Sequence, residues 1–152
     1  MIPHTPEAIG FITQRLMTHV LPDLRTNYGV ADIALIGTLL AMVGQDFERA
    51  AQARLEDIRE MRTIFAAAEA LLDHGSAHDR ELAARVHEAR GWPLDDLRIS
   101  VLDDIHAFPS RLLIDVHARI EQQAGEAAVA LDREIWAHLE RHAERHRYEA
   151  AV

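Results

Sequence analysis

The chain contains no cysteine. Disulfides, thiolate nucleophiles, Cys-ligated zinc and iron–sulfur clusters are therefore excluded. It contains no lysine either, so all 16 of its Lys/Arg positions are arginine. That removes Schiff-base chemistry, a lysine general base and the lysine of a phosphate-binding P-loop. Aromatic residues are only 5% of the 152 residues. No segment alternates with a period of two, and no β-branched run reads as a strand. Nucleophile elbows, Gly-rich phosphate loops, HExxH and EF-hand loops are all missing. The few serines, among them Ser76, Ser100 and Ser110, have no elbow around them. No repeat, low-complexity tract or linker divides the chain. The N-terminal residues show neither the basic nor the apolar region of a secretory signal. The most apolar window, residues 33–44, is shorter than the ~20 residues of a membrane span. The expectation is a soluble cytoplasmic protein with no membrane partner.

What is present is ordinary globular usage: 49% hydrophobic and 27% charged residues. Twenty-five acids against 16 arginines give a formal charge of -9. A polyanion is repelled on average, so no nucleic-acid partner is expected. Ten histidines stand beside those charges, and protonating all of them would take -9 to +1.

Helical periodicity runs through the chain. Thr5-Pro6-Glu7 reads as a cap, a proline at the first helical position and an acid in the first turn. Ile9, Ile12, Leu16, Val20 and Leu24 follow at helical spacing, with Pro22 expected to kink or split the pattern. Asn27-Tyr28-Gly29 reads as a stop. A second helix is expected over residues 30–73, with His74-Gly75 ending it and an apolar line through Ile33, Ile36, Leu40, Phe47, Leu55, Ile58, Met61, Phe65 and Leu72. Glu48, Arg49, Glu56, Arg59, Glu60 and Arg62 read as its solvated face. Ser76 to Asp79 reads as a capping-box variant opening a short third helix that Gly91 closes. Ser100 to Asp103 reads as the same device for a fourth helix, whose apolar phase persists across Pro109. A fifth helix is expected over 126–148, with Ala128, Leu131, Ile135 and Leu139 as its stripe. The fold class is all-α: a single domain, residues 1–152, forming a bundle of about five helices with one unusually long or kinked second helix.

That second helix carries most of the information. As one piece, its 44 residues would span about 66 Å, against a diameter of roughly 40 Å for a compact domain of this size. A break near Gly44-Gln45 is the alternative. Gly37, Ala41 and Gly44 allow close approach of another backbone. The 33–44 window is apolar on nearly every side, and such a helix is buried all round. Five helices could barely surround it. A symmetric homodimer is therefore expected, with Ile33, Ile36, Leu40, Val43 and Phe47 at its interface.

The candidate chemistry is histidine chemistry. Glu134, His138, His142 and His146 are spaced by four. Each step of four advances about 40° around a helix, which puts His138 and His142 on the flank of Leu131 and Ile135. A His pair at this spacing can chelate a divalent metal. His138 and His146 lie ~12 Å apart along the axis, so three cannot share one ion. His117 and Glu121 have the same spacing, and His117, Glu121, Glu134, His138 and His142 are the candidate metal ligands. The blander reading of the last helix is a polar boundary stripe whose imidazoles pair with acids. Asp103, Asp104 and His106 offer a carboxylate–imidazole pair but suit an acidic first turn better. Arg111, Asp115 and Arg119 read as a surface ion-pair ladder, and residues 141–147 as a solvated basic helix end.

No catalytic constellation is legible, so a non-enzymatic role is expected, acting through self-association and contact with a protein partner. No cofactor is expected under that reading. The alternatives are a His/Glu metal-binding bundle and a small-ligand pocket lined by Met42, Phe47, Phe65 and Phe108.

Overall fold

The computed structural model describes residues 4–72 and 75–149. The chain is all-α, and the described residues form five α-helices and no strand. They are α1 (Thr5–Arg15), α2 (Asn27–Glu69), α3 (Ala77–Gly91), α4 (Ile99–Glu121) and α5 (Glu126–Arg145). A π-helical turn, Leu16–Val20, and a 3₁₀ turn, Leu21–Asp23, follow α1. The chain's internal contacts fall into two units, residues 1–50 with 148–152, and residues 51–147.

Local chemistry explains most of the boundaries. Pro22 lacks the N–H that would continue an α-helix. The turn before it widens, and Leu21 N–H bonds back to the Leu16 carbonyl. The cap of α1 lies at His4, one residue earlier than Thr5, and has no side-chain hydrogen bond. Asn27-Tyr28-Gly29 opens α2, where the sequence reads a stop, because Thr26 Oγ1 accepts the Gly29 N–H at 3.1 Å. The long helix is continuous through Gly44 and ends at Glu69, and the expected terminator His74 lies outside the described residues. Ser76 caps α3 as expected, its Oγ accepting from Asp79 N–H. Ser100 does not cap α4: Arg98 holds that position with no side-chain bond. Pro109 sits inside α4 without ending it, as the retained phase predicts. Gly125, at φ +120°, turns the chain into α5 through a conformation that side-chain-bearing residues rarely adopt.

In the second unit the core is built from the periodic stripes. Leu55, Ile58, Met61, Ile64, Phe65, Ala68 and Leu72 of α2 pack with Leu82 and Val86 of α3, Leu102, Leu112, Val116 and Ile120 of α4, and Ala128, Leu131 and Ile135 of α5. The α5 stripe continues into His138, which is buried, while Leu139 is exposed. Arg111, Asp115 and Arg119 do not read as a ladder in space: Asp115 pairs with Arg85 at 2.8 Å, and Arg119 grips Asp79 through two bonds of 2.7 and 2.8 Å. Trp92 stacks on Phe108, with ring centroids 5.2 Å apart.

In the first unit α1 lies against α2 at its glycines. A Cβ on Gly37 would meet Met17 Sδ at 3.3 Å, and one on Gly44 would meet Ile9 Cγ2 at 3.5 Å. Side chains of the chain's own N-terminal segment, Ile9 of α1 and Met17 of the π-helical turn, lie beside these glycines, in place of the backbone approach expected there. Gln45 pairs with the Glu149 backbone, donating to its carbonyl at 3.0 Å and accepting its N–H at 2.9 Å. Tyr148 OH donates to Asp46 at 2.7 Å, and Arg49 lies over its ring. The apolar window remains largely uncovered: Leu35 is 57% exposed, Leu39 51%, Val43 54% and Phe47 59%. An 18-residue stretch of α2 has a mean hydropathy of 1.5 and is only 6% buried, so by length and composition this helix can cross a membrane. That window is longer than the twelve-residue run marked in the sequence.

Asp79 is 1% exposed and neutralises Arg119. Asp79→Ala would remove both of these bonds from a partly buried guanidinium, and a loss of about 3 kcal/mol is expected. Urea denaturation followed by far-UV circular dichroism measures it; an unchanged midpoint would show that the pair contributes nothing net.

Candidate metal centre

Three helices of the second unit converge on two carboxylates. Asp57 and Glu60 stand almost one turn apart on α2. His106 comes from α4. His138, Arg141, His142 and Arg145 come from α5, and His146 from its C-terminal cap. The phase of α5 explains the arrangement. Ala128, Leu131 and Ile135 fix the helix's rotation by their burial, and His138 and His142 fall next on that inward flank.

Asp57 is the centre of the cluster and is fully buried. Its Oδ2 lies 2.7 Å from His142 Nδ1 and 2.8 Å from His146 Nε2. His106 Nε2 stands 3.6 Å from the same oxygen. Arg145 Nη2 lies 2.6 Å from Oδ1. Burial alone would raise the carboxyl's pKa, but hydrogen bonds from His106, His146 and His142 outweigh it and hold the group well below the usual carboxylate range.

Glu60 forms the outer layer. It accepts His138 Nδ1 at 2.7 Å, two Arg145 nitrogens at 2.7 and 2.9 Å, and Arg141 Nε at 3.1 Å. The Arg145 hydrogen bonds, above all, pull its pKa down from 4.5 to about 2. Glu134 and Glu56 pair with the same two arginines, at 2.7 and 3.7 Å, so carboxylates outnumber guanidiniums around the cluster. The imidazoles add ring nitrogens to the site.

The chemistry of such a donor set is metal binding. The ligand atoms of Asp57, His142 and His146 all lie within 4.8 Å of one another. Zinc–imidazole and zinc–carboxylate bonds are ~2.0–2.2 Å long, so modest rearrangement brings all three onto one ion. The ion would replace the protons that link the imidazoles to the carboxylate. Glu60, held by its arginines, serves as the orienting partner of His138 and not as a ligand.

The five ligand candidates read from the sequence do not converge. His142 belongs to the Asp57 set, and His138 is held by Glu60. His117 and Glu121 lie elsewhere and form a second possible ligand group with Asp132, its ligand atoms also within 4.8 Å of one another: His117 Nε2 is 2.8 Å from Asp132 Oδ1 and 3.8 Å from Glu121 Oε1, with Trp136 edge-on to the ring. Glu134 pairs with Arg141 at 2.7 Å. Asp57, Glu60 and His106 were not among the candidate ligands, and His146 entered only as the last member of the series spaced by four. Glu60 reads as solvated but is enclosed by His138 and the arginines. Arg145 and His146 read as a solvated helix end but turn toward Asp57. His106 turns to Asp57 and Ser110, away from the acidic first turn, while Asp103 pairs with Arg54. One sequence signal for Asp57 does exist: it is an acid four residues before Met61, on the apolar face of the helix.

Comparison with protein-family models, with curated proteins and with solved structures finds no match to this chain.

The Glu60 shift fixes the sign of an acid response. A carboxylate with a depressed folded pKa contributes stability above its unfolded pKa and loses it as the pH falls through the folded one. The contribution of Glu60 is complete above about pH 4.5 and disappears toward about pH 2. Urea midpoints measured across that window should fall less steeply for Glu60→Gln than for the parent; parallel curves would show that Glu60 is not held by its partners.

Proposed function

We propose that this chain is a cytoplasmic helical protein that binds one divalent transition-metal ion through Asp57, His142 and His146. The observation that carries the reading is the single buried carboxylate oxygen shared by ring nitrogens from the last turn of α5 and from its C-terminal cap. Mixed imidazole and carboxylate donors suit zinc, iron or nickel, and the absence of cysteine disfavours the thiophilic ions. Glu60, Arg141 and Arg145 hold the surrounding charge in place. Protein made without a histidine tag should take up one equivalent of zinc, read by titration calorimetry and elemental analysis. Asp57→Asn and His142→Ala should weaken that uptake by roughly a hundredfold or more, and His87→Ala, at an exposed ring outside the site, should leave it unchanged. Uptake below about a tenth of an equivalent would dispose of the reading, since a formed site is close to saturation at ligand concentrations far above Kd.

A second reading concerns the first unit and is favoured by its uncovered apolar surface. We infer that a second copy of the chain packs there, against the row formed by Leu35, Leu39, Val43 and Phe47. Of the interface residues expected from sequence, Val43 and Phe47 are well exposed, Ile36 is 37% exposed, and Ile33 and Leu40 are half-buried. Large apolar side chains at helical spacing on one protein face are the ordinary material of a homodimer. A lipid surface fits less well, because Asp32 and Asp46 bracket the stretch and the chain is acidic overall. Sedimentation equilibrium at micromolar concentration should give twice the 17.1 kDa chain mass, and Leu39→Glu should return it to the monomer. A monomeric parent protein would remove this reading without touching the metal site.

A further inference from the structure

The hairpin of α4 and α5 gathers a second donor set, separate from Asp57. His117 and Glu121 stand about one turn apart at the end of α4, and Asp132 meets them from α5. Both carboxylates address the same ring nitrogen: His117 Nε2 lies 2.8 Å from Asp132 Oδ1 and 3.8 Å from Glu121 Oε1. The three ligand atoms fall within 4.8 Å of one another. Metal–ligand bonds of about 2.0–2.2 Å set neighbouring ligand atoms roughly 3–4 Å apart, so small side-chain movements bring all three onto one ion. Charge separates this set from the ion pairs around it. Asp79, Asp115 and Glu134 each meet an arginine. Among the described residues no arginine pairs with Glu121 or Asp132, and their shared counter-group is the imidazole. A protonated ring offsets one carboxylate, whereas a divalent ion offsets both.

The His117 side chain is only 16% exposed, and Trp136 stands edge-on to its ring with centroids 5.4 Å apart. A cavity of about 300 Å³ opens against Glu121 and Asp132, beside Gln123 and Ala128. At about 30 Å³ of liquid volume per water, it has room for the waters that would complete a coordination shell. We propose that His117, Glu121 and Asp132 form a second divalent-cation site, which takes an ion of the manganese(II) or cobalt(II) kind and fills its remaining positions with water from this cavity. Two carboxylates and water make the set oxygen-rich, and the imidazole favours transition metals over magnesium. The ion replaces the proton between Nε2 and Asp132. Glu121 is exposed, so ordering it costs side-chain entropy. A second equivalent therefore enters more weakly than the one assigned to Asp57, and the site stands whether or not Asp57 takes an ion.

Trp136 is the built-in reporter, because an open-shell ion on His117 quenches the indole beside it and closed-shell zinc does not. In tag-free full-length protein carrying Trp92→Phe, Trp136 is the only indole left. Cobalt(II) should quench its emission saturably, and excess zinc should restore the emission by competition. Asp132→Asn and Glu121→Gln should each raise the cobalt midpoint by about tenfold or more, and His117→Ala should abolish the saturable phase. Glu121→Gln changes an exposed side chain and leaves the core intact, so its effect is read in folded protein. The zinc competition needs no change at the site. Quenching that grows linearly without saturating overturns the proposal, since it reports collision with the exposed ring. Saturable quenching that is unchanged in both the Glu121→Gln and Asp132→Asn proteins overturns it as well, because the ion then sits elsewhere.

Discussion

A carboxylate fully withdrawn from water governs the second half of this molecule. Burying an isolated charge is costly enough that the group would ordinarily take up a proton. Asp57 stays ionised because imidazoles from α4 and α5 and the Arg145 guanidinium surround it. That requirement constrains the helices themselves. The α5 helix has to present His142 and His146 at the depth of Asp57, and its buried alanine, leucine and isoleucine set the rotation that does so. Gly125, at positive φ, turns the chain between α4 and α5, and Pro109 leaves α4 continuous from Ile99 to Glu121. Glu60 then holds the outer arginines and His138 in one orientation, which pre-organises the inner groups.

The parts of the fold that depend on local periodicity were legible in the sequence. The stripe from Leu55 to Leu72, the phase carried across Pro109 and the Ser76 cap all follow from residues a few positions apart. Boundaries set by competing local signals were less legible. Asn27 to Gly29 can stop a helix or begin one, and the Thr26 hydroxyl decides in favour of a beginning. The centre was legible only on one side. The inward flank of His138 and His142 follows from the α5 wheel, but their partners are 78 and 85 residues away in the chain. Periodicity carries no information about which acid on another helix meets which imidazole. Glu60 sits among Arg59 and Arg62, so its neighbours suggest solvent, while its true partners lie on α5.

The two units use apolar residues differently. In residues 51–147 the apolar stripes meet one another in a buried core, while Leu97, Ile114, Val129 and Trp136 lie outside it and are exposed. In the first unit, α1 covers α2 at Gly37 and Gly44 and leaves a row of large side chains facing outward. The small residues that suggested room for another subunit are filled from within the chain. The surplus lies elsewhere on the helix, at Leu35, Leu39, Val43 and Phe47. One helix thus supplies a core stripe at one end and an uncovered ridge at the other.

Both tryptophans of the chain, Trp92 and Trp136, fall within residues 51–147, one stacked on Phe108 and the other edge-on to His117. The first unit contains none. Indole emission therefore reports on one half of the polypeptide alone. Loosening of the N-terminal hairpin is dark in that channel, and only backbone-sensitive or tyrosine signals register it. A melting curve followed by intrinsic fluorescence describes the histidine-bearing half, and its coincidence with a dichroism curve measures how far the two halves come apart together.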